Sequence, residues 1–295
     1  MKTEKALLTA FILANCYCQV FSQFDKVEHI TLFGSRIDNP VEVEVTTSGN
    51  NYVFTADNRS YYPYILELKI MDIVNLNPPR VNGFFKIHPG KNKLVTLSVV
   101  NPEQPSYYSY STSYSIGIPS QDVDFDLPYL MPFKGPFDFE KTGDDTMLIK
   151  ANTFRLHSGD TIFAMRRGMV AATPDMDYKN DRVSERNSLE IIHQDGTIMV
   201  YENLDPDQVL IKPGKQVYPG EAMGIIKGNA PLEVMLYLNL GGGKLRGIQI
   251  KYCIDKNTTE IFSSKLREAT ISYPREIIVK EMTKREVKRY DKGIL

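Results

Sequence analysis

Three stretches decide the reading: Asn187-Ser-Leu-Glu-Ile-Ile-His193-Gln-Asp-Gly-Thr-Ile-Met-Val-Tyr201-Glu-Asn-Leu204, then Val209-Leu-Ile-Lys-Pro-Gly214-Lys-Gln-Val217-Tyr-Pro-Gly220-Glu-Ala-Met-Gly224, then Pro231-Leu-Glu-Val-Met-Leu-Tyr-Leu-Asn-Leu240. Short apolar runs alternate with glycine turns, the pattern of strands joined by hairpins. The motif Leu156-His-Ser-Gly159-Asp-Thr-Ile162 recurs 55 residues later as Ile211-Lys-Pro-Gly214-Lys-Gln-Val217. Each copy has an apolar residue, a glycine three later and a β-branched residue three after that. A strand, a turn in which glycine takes positive φ, and a second strand account for it. Two such hairpins imply a compact, duplicated β unit over residues 137–274.

Upstream, residues 23–120 carry strand signals at short intervals. Val41-Glu-Val43-Glu-Val45 alternates with the period of a half-buried strand. Tyr52–Thr55, Tyr64–Ile70, Phe84–Ile87 and Leu94–Val100 follow, separated by Asn, Gly and Pro turns. An antiparallel, immunoglobulin-like sandwich is the expectation, without the Cys–Trp–Cys core of antibody domains. Residues 121–136 carry Asp122, Asp124, Asp126 and three prolines, and read as an extended, packed linker. Residues 275–295 hold seven Lys or Arg and four Asp or Glu. They read as a solvated, partly frayed tail, with Thr283-Lys-Arg-Glu286 available as a capping box.

The stretches quoted first resemble the lysostaphin-type (LytM-like) peptidoglycan endopeptidases, over roughly residues 128–240. Gly159-Asp-Thr-Ile162-Phe-Ala164 with Gly168-Met-Val170 resembles that family's Gly-Thr-Pro-Val-x-Ala and Gly-x-Val strands. Ile192-His193-Gln-Asp-Gly-Thr197 and Tyr201-x-x-Leu204 resemble the strand leading to its catalytic turn. The expected fold is therefore all-β: a sandwich followed by a duplicated-hybrid-motif barrel. The family's chemistry needs Zn²⁺ on two histidines and an aspartate, with a coordination position left for water. By the resemblance, Thr153 stands at the aspartate position and Ile149 near the first histidine. Asn203 replaces the histidine of the Tyr-x-His-Leu turn. The His-x-His strand falls within Leu232–Leu238, where Glu233 is the one oxygen ligand. The resemblance thus implies a hydrolase frame without its metal ligands, a degenerate cleft at Thr153, Asn203 and Glu233, no catalytic residue, no metal and no cofactor.

Other chemistry is thinly represented. A net charge of −1 argues against a nucleic-acid partner, which needs clustered Lys and Arg. Gly-x-Ser-x-Gly and phosphate-loop motifs are absent, and no hairpin lysine suits a biotinyl or lipoyl carrier. His29, His88, His157 and His193 read as surface or hydrogen-bonded side chains. Lys2, Lys5 and the apolar run Ala6–Ala14 read as a signal peptide over 1–22, with Cys16 a weaker lipidation candidate. No second apolar run is long enough to span a bilayer, so export to a periplasmic or outer-membrane-associated location is expected. Cys253 reads as a small buried apolar side chain. Tyr107, Tyr108, Tyr110 and Tyr114 alternate with serines along one strand, a half-buried edge or a contact surface. The functional expectation is a binding, scaffolding or activating envelope protein, with peptidoglycan, a cell-wall hydrolase or an envelope complex as partner. Two alternatives are a zinc endopeptidase with rewired ligands and a purely structural subunit of an outer-membrane or secretion assembly.

Overall fold

A computed structural model describes residues 39–77, 82–134, 138–139, 151–174, 188–226, 228, 231–261 and 271–295. The leader over 1–22, Cys16, Cys18, His29 and Ile149 lie outside them. The chain is all-β apart from short helical turns and two short C-terminal helices. Among the described residues no helix is long and apolar enough to cross a membrane.

The N-terminal region has two antiparallel sheets. One runs in the order β1 (Val41–Ser48), β2 (Asn51–Asn58), β6 (Gly90–Val99), β4 (Leu76–Asn77). The other runs β5 (Asn82–Ile87), β3 (Tyr64–Val74), β7 (Tyr107–Ile116). The expected alternation places Phe54, Leu97 and Val95 of the first sheet against Leu68 and Ile70 of the second, and these residues form a shared core.

The C-terminal region is organised on one large antiparallel sheet, ordered β15 (Gln216–Val217), β12 (Gly168–Ala172), β13 (Leu189–Ile192), β14 (Ile198–Glu202), β17 (Leu232–Gly241), β10 (Asn152–Arg155), β9 (Asp138–Phe139). β18 (Lys244–Ile248) pairs with β17 as well. One face of the sheet carries Phe154, Leu189, Ile191, Met199, Tyr201, Leu232, Val234 and Leu236 into the main core. The other carries Ala172, Ile198, Val200 and Tyr237 against Val41, Tyr62, Tyr64 and Ile87 of the sandwich. A strand covered on both faces needs apolar side chains in both directions, which is why Ile198-Met-Val-Tyr201 does not alternate.

The internal sequence repeat is also a structural one. In each copy a turn closes by the same pairing: His157 O accepts from Asp160 N at 3.0 Å, and Lys212 O accepts from Lys215 N at 3.2 Å. Gly159 and Gly214 both take positive φ, +99° and +83°. At Gly214 the demand is steric too, because a Cβ there would sit 2.5 Å from the Tyr61 ring of the sandwich. The hairpin tip thus serves as a seat for the first domain.

Two segments differ in character from their composition. The second half of the proline-bearing connector is core rather than tether. Leu127, Tyr129, Met131 and Phe133 are buried in the main core, and β8 (Tyr129–Leu130) pairs in parallel with β19 (Lys251–Cys253). The C-terminal residues are not frayed, which corrects the expectation from their charge. Helix Lys284–Tyr290 begins in the full capping box at Thr283 and Glu286. Ile278 packs on Leu130 and on the buried Cys253, with Tyr273, Met282 and Tyr290 around them. Two of this segment's charges, Glu281 and Glu286, pair with Arg166 and Arg167 of the sheet domain, while Arg275 and Asp291 pair with each other at the surface.

Candidate functional site

The three positions that resemblance assigns to the metal site come together at one end of the large sheet. Thr153 of β10 lies opposite Glu233 of β17, and Glu233 lies opposite Glu202 of β14. Asn203 follows Glu202 directly. Thr153, Glu233 and Glu202 therefore share one face across three adjacent strands. Glu202 was not anticipated, because its role depends on strand register, which sequence leaves open.

Two of these side chains are engaged within the fold. Thr153 is buried, with its hydroxyl 3.5 Å from Ala151 O. Asn203 is exposed at φ +66°, a left-handed conformation that asparagine tolerates, and its amide donates to Pro231 O at 3.1 Å. That bond ties the turn after β14 to the start of β17, so the side chain acts as a clip between strands. Of these groups only the carboxylates belong to the nitrogen, sulfur and carboxylate set that holds catalytic zinc. Among the described residues no three His, Cys, Asp or Glu side chains converge on a common point. The inward face of the same strands offers no more. Leu232, Val234, Phe154 and Tyr201 are buried there, close-packed with Tyr252 and Phe133.

The opposite end of β14 holds a buried polar cluster. Arg166, whose side chain is 7% exposed, reaches Asp195 Oδ2 at 2.9 Å and Glu281 Oε1 at 2.6 Å. It also donates to Tyr129 Oη at 2.9 Å and Thr197 Oγ1 at 3.2 Å. Burial works against the charge on Arg166, but the Glu281 hydrogen bonds and the Tyr129, Glu281 and Asp195 oxygens hold its pKa above the usual arginine value. Burial also opposes ionisation of Asp195, yet Arg166 and Thr197 keep its pKa low. Tyr129 is pushed up to about 12 by burial. Next to the cluster, Arg167 pairs with Glu286 at 2.9 Å, and Tyr218 donates to the same carboxylate at 2.8 Å. Burial opposes the charge on Glu286, but the Thr283 bonds, Tyr218 and Arg167 bring its pKa down to about 2.

His193 sits beside this cluster and is buried, with Nδ1 donating to Arg167 O at 2.8 Å. Burial, then the Arg166 charge, lower its pKa to about 3, so the ring is neutral. Nδ1 carries the proton, and Nε2 is a buried acceptor with no hydrogen-bond partner among the described residues. The expected hydrogen-bonded histidine is found here. His88 and His157 are exposed.

Between sandwich and sheet domain lies a cleft of about 460 Å³, lined in part by Lys86, His88, Gln121, Arg167, His193 and Asn239. Its floor is set by Gly196, at φ +80°, where a Cβ would come within 2.8 Å of Ile118 O. Sequence gave no sign of this cleft, since it forms from residues more than a hundred positions apart. The four tyrosines of β7 lie on the sandwich instead. Tyr108 and Tyr110 meet Phe54 edge-on, Tyr114 meets Tyr64, and Tyr107 is exposed.

No family model matches the chain, and no curated protein matches it. Several solved structures do. The catalytic domain of the antimicrobial peptidase lysostaphin from Staphylococcus simulans is 16% identical over 40% of this chain and 85% of its own, with a TM-score of 0.26. A zinc-containing peptidase from Vibrio cholerae is 14% identical over 67% of this chain, at a TM-score of 0.27; the match spans 54% of that protein. Csd3 of Helicobacter pylori is 11% identical over 87% of this chain and 78% of its own, at a TM-score of 0.30. Similarity at these levels decides nothing about activity.

Proposed function

We propose that the chain is a non-catalytic binding or scaffolding component of the bacterial envelope, built on a hydrolase-like β frame. One observation carries the reading. The strand ends that resemblance assigns to a zinc site meet at Thr153, Asn203 and Glu233, but bring a hydroxyl, a clipped amide and one carboxylate where two imidazoles and a carboxylate are needed. Nothing among them lowers the pKa of a bound water, so hydrolysis has no driver there. The leader-like start of the chain supports export, and peptidoglycan or an envelope protein complex is the partner class. A peptide strand is the fitting ligand form, held by main-chain pairing at the sheet end.

The test is zinc content of the purified full chain together with its action on isolated cell walls. Substoichiometric zinc, no fall in wall turbidity and co-sedimentation with walls or a defined envelope complex are expected. One bound zinc per chain with wall clearance would overturn the proposal.

A further inference from the structure

Edge strands of the sandwich are guarded unequally. β1, at one edge of its sheet, carries Glu42 and Glu44. β4, at the other edge, has two residues, and β5 has six with Lys86 among them. Short length and charge are the usual devices that keep sheet edges from pairing with other chains. β7 has neither. It is ten residues long, Tyr107-Tyr-Ser-Tyr-Ser-Thr-Ser-Tyr-Ser-Ile116, with no charge and no proline. Among the described residues it pairs only with β3, so its other edge presents open backbone groups. The register against β3 is unbroken from Ser109 to Ser115, and the one irregularity lies between Met71 and Val74, beyond that stretch. The edge is therefore straight as well as bare.

Its sequence is a palindrome. Ser109-Tyr110-Ser111-Thr112-Ser113-Tyr114-Ser115 reads the same in both directions. An antiparallel pair of identical strands related by a two-fold axis through Thr112 sets every residue opposite its own kind: Ser109 on Ser115, Tyr110 on Tyr114, Ser111 on Ser113 and Thr112 on Thr112. Directly opposed residues of antiparallel strands share a face, and aromatic and Thr–Thr pairs favour such pairing. Tyr110 and Tyr114 are each 40% exposed and are already oriented by edge contacts with Phe54 and Tyr64. Little side-chain freedom remains for them to lose. No like charges face each other, because the strand has none.

We propose that the occupant of this edge is a second copy of the same chain. Two β7 strands pair antiparallel about Thr112 and join the two three-stranded sheets into one continuous sheet. The interface is isologous, as a two-fold dimer requires. A single strand edge buries less than the roughly 800 Å² per partner of a standard interface, so the dimer is concentration-dependent, with a Kd on the order of micromolar or weaker.

Four variants of the full chain, with one control, test register as well as association. Directly opposed residues lie about 4.5–5.5 Å apart between Cα atoms, within reach of a disulfide. Thr112→Cys is expected to form a disulfide-linked dimer under mild oxidation, faster than the parent chain or a Glu44→Cys control on the β1 edge. Ser111→Cys, whose own symmetry mate is two residues off register, crosslinks poorly alone but forms a mixed dimer with Ser113→Cys. Thr112→Lys faces two ammonium groups across the axis; sedimentation is expected to show a monomer with an unchanged circular dichroism spectrum and unchanged melting temperature. A parent chain that stays monomeric at about 1 mM overturns the proposal. So does a dimer that survives Thr112→Lys, or Thr112→Cys crosslinking no faster than the Glu44→Cys control.

Discussion

The two ends of β14 carry opposite chemistry. Before the strand, Asp195 and Thr197 enter a buried network with Arg166, Tyr129 and Glu281 in which most polar atoms have a partner. After it, Asn203 clips a turn by donating to Pro231 O. A buried charge is tolerated only when paired and hydrogen-bonded. The molecule meets that condition where the C-terminal segment docks. Arg166 ties the C-terminal segment to the sheet domain through Glu281.

The contrast can be broken or sharpened by substitution. The largest effect is expected from Arg166→Met, which removes the buried cation and leaves the partly buried Asp195 and Glu281 unpaired; a loss of about 3–5 kcal/mol is expected in denaturant unfolding. Leu232→Ala, at the other end, removes a fully buried side chain from the main core and should cost about 2–4 kcal/mol by the same measurement. Its loss would rank the sealed inward face as a structural core rather than a pocket awaiting a ligand.

An acid titration separates the two ends again. The folded-state pKa of His193, about 3, lies below the ordinary value of 6.5, so the unfolded chain binds the proton first. Stability from the neutral ring is complete above pH 6.5 and is lost as pH falls from there towards 3, roughly 2–3 kcal/mol by pH 4.5. Asp195 and Glu286, both depressed, add the same sign of loss, but only below about their unfolded values of 3.8 and 4.5. His193→Gln should flatten the stability profile between pH 6.5 and 4.5 while leaving the steeper loss below it.

Two smaller effects complete the series. Tyr62 donates to the buried Glu190 across the domain interface, and Tyr62→Phe should lower stability by about 1–2 kcal/mol. Glu233→Gln should change stability by no more than about 0.5 kcal/mol, with zinc content unaltered. A large loss at Glu233 would show that this strand end does structural or metal-binding work.

Much of the fold was legible because strands write their period into the chain. Val41–Val45 alternates and became β1, and Gly159 and Gly214 mark matching turns 55 residues apart. The tail misled because composition cannot say whether a glutamate meets water or an arginine. Glu281 and Glu286 meet Arg166 and Arg167 over more than a hundred residues. Only a docked chain brings such groups together.

By itself the sequence determined the strands, their turns, the capping box at Thr283, the palindrome in β7 and the lack of histidine from Leu232 to Leu238. These are properties of neighbouring residues, fixed by backbone sterics and side-chain type. Tertiary structure alone decided that Thr153 lies opposite Glu233, that Arg166 lies between two carboxylates, and that a cleft opens between the domains. Those outcomes depend on register and on long-range burial, where free energy is shared among residues distant in sequence.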